Sequence, residues 1–301
     1  MNRSLAQWLA DNPGSAVLVT ALLGTLPLLG LGFAFFLPGA VPALLALVRG
    51  PRIGVAVALG ATGLLAASML LFGRPMAVGL IYAAWVLGPP LALGWLLERT
   101  GSLSLCLQVA TLLGTVLLVV LHATFGDPEQ FWAPFVRDLA QEMQKHGLPK
   151  DMLDEGIAAT LARTLWGWVA VLTMLLAMCA LFLARWWQSL PEQAGRFGAE
   201  FRQVRLGRVL GAAAAVIVAW SLMKDQLLVD DISRLFLGSL VIVGLAVLHR
   251  AVATGKLGQA WLWLTYTLLV ILPPAAVAGL ATWGFVDNWR RSQRAATATP
   301  S

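Results

Sequence analysis

Few side chains in this sequence have the types and spacing that chemistry requires. The sequence contains no HExxH, GxSxG, Walker A, GxGxxG or CxxC pattern, so the common zinc, serine, nucleotide and redox sites are not indicated. Cys106 and Cys179 lie far apart within apolar runs, and neither has a histidine at metal-ligand spacing. We therefore predict no catalytic residue, no cofactor and no metal site, and we expect that the protein is not an enzyme.

The remaining polar candidates lie near or within long apolar runs. His122 and His249 lie near the ends of such runs, where contact with a membrane surface is the simplest interpretation. Gln108 lies inside a run, so its amide either bonds to a neighbouring helix or contacts a ligand. The segment 224–234, KDQLLVDDISR, is interpreted as a hydrated turn, because its two adjacent aspartates supply too few oxygens for a cation site.

Composition places the chain in a membrane. Of its 301 residues, 59% are hydrophobic and 12% are charged, about half the charged fraction of soluble domains. Several uncharged runs approach the roughly 20 residues that a helix needs to cross the bilayer. The central parts of these runs contain no Asp, Glu, Lys or Arg, which argues against a proton-coupled transporter. The net charge of +6 comes from basic residues between the runs, so nucleic acid is not expected as a partner.

The predicted fold is all-α: a polytopic transmembrane helical bundle of eight to ten membrane segments, forming a single integral domain over residues 1–301. Pro273 and Pro274 leave open whether the last segment is one kinked helix or a helical hairpin. The candidate spans are 15–37, 39–48, 53–72, 76–97, 103–124, 160–184, 208–223, 233–249 and 258–285.

Charge distribution predicts the orientation. If 258–285 is a hairpin, most of the 21 lysines and arginines fall on the side that holds both termini. Basic loops stay in the cytoplasm, so we expect both termini there, in a bacterial inner membrane. Loop 185–208 is then cytoplasmic, loop 125–159 is periplasmic, and 287–301 is a polar cytoplasmic tail.

The basic loop 185–208 combines arginines with a short apolar face. Phe197, Phe201 and Val204 share a helical face, which predicts a short amphipathic helix in the membrane interface, with arginines towards anionic headgroups. The loop either sets topology against the lipid bilayer or docks a cytoplasmic protein. The candidate contacts are Trp186, Trp187, Arg196, Phe197, Glu200, Phe201, Arg202, Arg205 and Arg208.

The periplasmic loop 125–159 also predicts an amphipathic helix. Asp127 and Pro128 are suited to the N-cap and first helical positions. A second short helix is expected near Asp151. The first helix either rests on the bilayer or forms a lid over an outward-facing cavity. Its predicted apolar face comprises Phe131, Phe135, Val136, Leu139 and Met143.

A stripe of small residues marks the first span. Ala16, Thr20 and Gly24 recur every four residues, and such stripes allow close approach of helix backbones in lipid. The stripe serves either packing within this chain or docking of another membrane protein.

Two segments resemble a known family. RWWQSL at 185–190 with GRFGAEFRQVRLGR at 195–208, and GFVDNWRRSQR at 284–294, resemble the YybS-like family of bacterial membrane proteins. Arg196 departs from the glycines expected before Phe197. Length and span layout extend the resemblance over most of the chain. It implies a polytopic membrane fold but no activity, because the family has no established function.

The N-terminal helices, 15–124, carry a second resemblance. FLPGAVPALLALVRGPRIGVAVALGATGLLA, residues 36–66, resembles early helices of substrate-binding components of energy-coupling-factor transporters, and also of the rod-shape scaffold family MreD. The first resemblance implies a six-helix core that binds a small nutrient and docks on a separate ATPase module. We therefore expect a transporter-like component that binds or translocates a small molecule and lacks its own ATPase. The alternative is a scaffold that recruits cytoplasmic partners through 185–208, the basic loop within the C-terminal helices 160–286.

Overall fold

The structure is a computed structural model that describes residues 3–147, 149, 153–192 and 195–297. Over these residues the chain is all-α, with short 3₁₀ turns between some helices and no strand. Within this described part of the chain, five helices are long and apolar enough to cross a membrane, and four shorter helices are also apolar. The predicted all-α transmembrane bundle is confirmed, and the protein is a membrane protein.

The α-helices follow one another closely along the chain. In order they are α1 (Arg3–Asp11), α2 (Pro13–Thr25), α3 (Leu37–Arg49), α4 (Pro51–Ser68), α5 (Met76–Thr100), α6 (Leu103–Phe125), α7 (Pro128–Lys145), α8 (Glu155–Glu192), α9 (Arg196–Phe201), α10 (Gly207–Met223), α11 (Leu227–Ala253), α12 (Ala260–Ile271) and α13 (Pro273–Thr297).

The helices group into two compact units. Unit 1 comprises Met1–Ala110 and Thr173–Arg205, and unit 2 comprises Thr111–Leu172 and Leu206–Ser301. Helices α6 and α8 each contribute residues to both units. The single domain expected from the sequence stays a prediction, and each unit is described by itself.

Unit 1 is built around the short helix α3, whose residues 38–47 are all buried. Helices α2, α4 and α5 pack against it. Gly39 permits the closest approach, because a Cβ there would lie 2.6 Å from Cγ of Pro90. The helix ends at Gly50, whose φ of 88° favours glycine, and Pro51 opens α4. The Gly-Pro turn seen in the sequence is thus a sharp helix–helix connection.

The first predicted span, 15–37, is wrong as a continuous helix. Helix α2 ends at Thr25, and 3₁₀ turns follow at Pro27–Leu29 and Gly32–Phe36. Pro27 cannot donate a backbone hydrogen bond, and Gly30 adopts a φ of 90°. Both residues stop the helix although the segment remains apolar.

Unit 2 is organised by α10, α11 and α13, which pack against one another. The open question about 258–285 is resolved in favour of two helices, since α12 ends at Ile271 and α13 begins at Pro273. The predicted polar tail 287–301 continues α13 as far as Thr297, and residues 298–301 lie outside the described residues.

The loop 125–159 contains the amphipathic helix that the sequence predicted. Helix α7 begins after Asp127, whose Oδ1 accepts from the backbone N–H of Glu129 at 2.9 Å. The second short helix was predicted to start near Asp151, which lies outside the described residues. Asp154 accepts from the N–H of Ile157 at 2.8 Å and starts α8, which continues through the span to Glu192. Helix α8 thus begins before residue 160, the start of the predicted span.

Candidate functional site

The candidate site lies where α11 begins in unit 2. The sequence predicted a hydrated turn over 224–234 and a span starting at 233, but α11 starts at Leu227. Asp231 is therefore part of the helix and is fully buried. The turn is shorter than predicted, and Asp231 lies in the first two turns of α11, near the end of the apolar run, where the sequence places its charged residues.

Asp231 is held by two cationic or potentially cationic partners. Its Oδ2 lies 2.9 Å from Nε2 of His122 on α6, and its Oδ1 accepts from Nη1 of Arg234 at 2.6 Å. The side chain of Asp231 is 1% exposed, that of His122 12% and that of Arg234 28%. An ionised Asp231 accepts both bonds, which places a hydrogen on Nε2 of His122. The pairing offsets part of the cost of removing this carboxylate from water.

Helix α8 approaches the carboxylate through a glycine. A Cβ on Gly167 would lie 2.5 Å from Oδ1 of Asp231, so a larger residue would displace the carboxylate. The charged cluster therefore joins α6, α8 and α11 at one level of unit 2.

A more exposed ion pair lies beside this cluster. Arg163 of α8 donates through Nη2 to Oδ1 of Asp225 at 2.7 Å, and the two side chains are 41% and 75% exposed. Asp230 is half-buried, and its carboxylate makes no hydrogen bond or ion pair with the described residues. Charged groups thus extend from water at Asp225 to the buried Asp231.

Further polar groups lie deeper between α6 and α11. The hydroxyls of Thr111 and Ser239 are 2.7 Å apart and fully buried. Ser239 lies two turns after Asp231 on one face of α11, and the intervening Leu235 is fully buried against Gly114. Polar groups therefore continue inward from the cluster, with one apolar layer between the two levels.

An aromatic cluster covers the same end of unit 2. Phe131 and Trp132 of α7 lie 4.8 Å and 5.1 Å from Trp166 of α8, measured between ring centroids. Phe125 of α6 lies 6.0 Å from Trp166. The indole N–H groups of Trp132 and Trp166 are buried and find no acceptor among the described residues. Since Trp166 adjoins Gly167 in sequence, the aromatic and charged clusters lie at the same level of α8.

The basic segment of unit 1 makes more contacts within the protein than the sequence predicted. Arg185 forms two bonds to Glu200, from Nη2 at 2.6 Å and from Nε at 2.8 Å. Burial acts to raise the pKa of Glu200, but the hydrogen bonds and charges of Arg185 and Arg196 together outweigh it and lower that pKa. Phe197 and Phe201 pack on Phe182 of α8, with centroids 5.9 Å and 5.3 Å away. The predicted interfacial helix is thus the short α9, with its phenyl rings turned towards α8.

The other predicted contacts divide between surface and interior. Trp187 packs against the buried cluster that contains Leu9 and Val41. Trp186 is 45% exposed, and Arg202 is half-buried. The remaining arginines on this segment are all exposed, and they are Arg196, Arg205 and Arg208.

The small-residue stripe is used inside unit 1. Ala16 and Thr20 are fully buried, and Oγ1 of Thr20 donates to the carbonyl of Ala16 at 2.7 Å. A Cβ on Gly24 would lie 2.8 Å from Leu65. The stripe therefore packs inside unit 1, and docking of another membrane protein through it stays a prediction. Gln108 is half-buried on α6, and the structure records no hydrogen bond to its amide within the described residues.

Sequence reasoning missed the pairing of His122 with Asp231. The two residues lie 109 positions apart, so no local motif joins them. One signal was present: Leu227, Leu228 and Val229 precede the aspartates and could have extended the predicted helix to include them.

Comparison with known proteins adds no family to this geometry. No family model, no curated protein and no solved structure matches the chain. Within the described residues, no group of three His, Cys, Asp or Glu side chains is placed to hold a metal ion.

Proposed function

We propose that this protein is a transporter-like membrane component that binds and passes a small polar solute at the charged end of unit 2. It has no ATPase of its own. The observation that carries this proposal is the full burial of Asp231 between His122 and Arg234 in a membrane helix. Buried ionisable groups are costly in membrane proteins and usually mark a substrate or ion path.

The arrangement around Asp231 supports a solute path. Charged groups begin at the exposed Asp225 and continue to the buried cluster, and the hydroxyl pair of Thr111 and Ser239 lies deeper. A polar solute can form hydrogen bonds with these side chains in place of the bonds they make with one another. The free-energy cost of the exchange is low, because no polar group is left without a hydrogen-bond partner. Leu235 separates the two levels and would have to move for passage.

Helix α7 supports the same function as a cover. Its rings pack on Trp166, next to the glycine that contacts Asp231. We propose that α7 acts as the lid, which the sequence left open beside a helix resting on the bilayer. We also propose that the protein belongs to the YybS-like family in a bacterial inner membrane, with both termini cytoplasmic and the Asp231 end periplasmic.

A scaffold that recruits a cytoplasmic partner is the second candidate. The exposed Arg205 and Trp186 support it. Arg196 is exposed but donates to Glu200 within unit 1. Glu200, Phe197 and Phe201 do not, because they are occupied within unit 1. The available surface is therefore smaller than the sequence suggested.

The test of solute binding is a thermal-shift screen of the pure protein against a metabolite library. We expect chemically related polar solutes to raise the unfolding temperature of the wild-type protein and of Asp138→Asn, an exposed aspartate on α7. The same solutes should not stabilise Asp231→Asn. A library without any stabilising solute, or equal stabilisation of Asp231→Asn, contradicts the proposal.

A further inference from the structure

Unit 2 has an apolar groove away from its charged end. The groove lies between α10 and α13 over α11 and has a volume of about 390 Å³. Ala215 and Ala219 of α10 form one wall, and Ala278 and Ala281 of α13 form the other. Leu237 and Leu240 of α11 form its floor. Thr282 is the one polar side chain among its described lining residues.

The groove exists because the two wall helices are joined at one end and lined by small residues below it. Asn288 of α13 is fully buried, and its Oδ1 accepts from the N–H groups of Leu206 and Gly207 at 3.0 Å and 2.9 Å. Its Nδ2 donates to the carbonyl of Gly207 at 2.9 Å. Beyond this junction, alanine side chains are too short to close the space between α10 and α13.

The joined end of the groove carries a positive charge and an indole. Arg208 is exposed and shares a face of α10 with Ala215, Ala219 and Leu222, at spacings that return to the same side of a helix. Trp289 follows Phe285 by one turn of α13, and the two rings stack with centroids 6.1 Å apart. Arginine and tryptophan are the residues that mark the headgroup level of a membrane protein.

The groove has the depth of one lipid leaflet. Arg208 and Ala219 are about 16 Å apart along α10 at 1.5 Å per residue. This is about half of the roughly 30 Å hydrocarbon thickness of a bilayer. An acyl chain that starts at the level of Arg208 therefore runs the length of the groove and ends near the middle of the membrane.

We infer that this groove binds one anionic phospholipid of the surrounding bilayer, with an acyl chain along the alanine walls and the phosphate at Arg208. The small alanine side chains leave a continuous apolar surface for the acyl chain to contact. The single arginine favours an anionic headgroup over a zwitterionic one. This site is separate from the charged cluster and independent of the proposed solute path.

The test is native mass spectrometry of the full-length protein after extraction from membranes with equal parts phosphatidylglycerol and phosphatidylcholine. We expect one retained phosphatidylglycerol per protein. Arg208→Gln should reduce the preference for phosphatidylglycerol about fivefold, the effect of one arginine near a membrane surface. Arg205→Gln, which removes an exposed arginine outside the α10 face, should leave the preference unchanged.

A second variant tests the groove itself without removing a charge. The double variant Ala215→Leu and Ala219→Leu fills the groove and should release the lipid. Val216→Leu, at a lipid-exposed position outside the groove, should retain it. Equal loss of preference in both arginine variants, equal retention of both lipids, or lipid retained by the filled variant would overturn the inference. A stable dimer that the filled variant disrupts would also overturn it, by assigning the groove to a second copy.

Discussion

The two ends of α11 both carry an arginine–aspartate pair, but they use it differently. At one end Arg234 and His122 hold Asp231, whose side chain is 1% exposed. At the other end Arg250 donates to Asp287, and these side chains are 30% and 19% exposed. Asp231 and Arg250 are about 28 Å apart along the helix axis, close to the thickness of the hydrocarbon core.

The Asp287 end of α11 joins helices, whereas the Asp231 end has the features of a functional site. Beside Asp287, Asn288 ties the start of α10 to α13 with three hydrogen bonds, so this end joins helices at the membrane surface. Around Asp231, a carboxylate and an imidazole are buried where an apolar pair would pack at lower cost. His249 also lies beside Arg250, but it contacts the hydroxyl of Tyr266, whereas His122 contacts the carboxylate of Asp231 directly. Burial depth and this direct histidine–carboxylate contact, more than the presence of an ion pair, therefore distinguish the candidate site.

The largest expected effect concerns which side of the membrane each end occupies. In a background with Cys106→Ala and Cys179→Ala, Asp225→Cys should react with a membrane-impermeant maleimide in intact cells. Lys256→Cys should react only after permeabilisation. Both positions are exposed, and each adjoins one end of α11. Labelling of both from the same side would show that α11 does not cross the membrane.

Removing the buried carboxylate should destabilise the protein more than removing the half-exposed one. Asp231→Ala leaves Arg234 and His122 without their partner, and breaking a buried pair costs about 3–5 kcal/mol. Asp287→Ala should cost clearly less, since water reaches its partners. The measurement is the free energy of unfolding in mixed micelles with increasing denaturing detergent. Equal losses of unfolding free energy in the two variants would show that the two aspartates contribute to stability in the same way.

The approach of α8 to Asp231 gives an intermediate effect. Gly167→Ala inserts a methyl group 2.5 Å from Oδ1 of Asp231 and should destabilise the protein by about 1–3 kcal/mol through overpacking. Gly279→Ala is the matched control, because nothing lies within 4 Å of its Cβ position on α13. Its stability should stay level or rise slightly, as helix propensity improves. The same unfolding titration measures both variants.

The smallest effect concerns the ion pair of unit 1. The lowered pKa of Glu200 means that its contribution to stability is full above the unfolded value of about 4.3. That contribution is lost as pH falls through the lower folded value. The unfolding temperature of wild type should therefore drop more steeply below pH 5 than that of Glu200→Gln. Parallel pH profiles would mean that Arg185 and Glu200 contribute little to folding.

The sequence predicted where the helices lie along the chain better than it predicted the contacts between them. Uncharged runs and the Asp127 cap predict α6 and α7 because these signals are local. Gly50 likewise marks a connection that only local backbone geometry decides. The pairing of His122 with Asp231 depends on how α6 and α11 are placed and rotated, which no local pattern records. Asp231 was assigned to the turn 224–234 because it is charged and lies beside an apolar run. In the structure it belongs to α11, where it is buried and paired.

Transport in proteoliposomes tests the functional distinction between the two ends most directly. The solute that gives the largest thermal shift would be supplied outside, and its uptake would be measured for wild type, Asp231→Asn and Asp287→Asn. We predict that Asp231→Asn reduces uptake roughly tenfold or more, equivalent to about 1.4 kcal/mol, while Asp287→Asn stays close to wild type. Uptake that survives in Asp231→Asn, or that falls equally in both variants, would contradict the assignment of the buried cluster as the functional site.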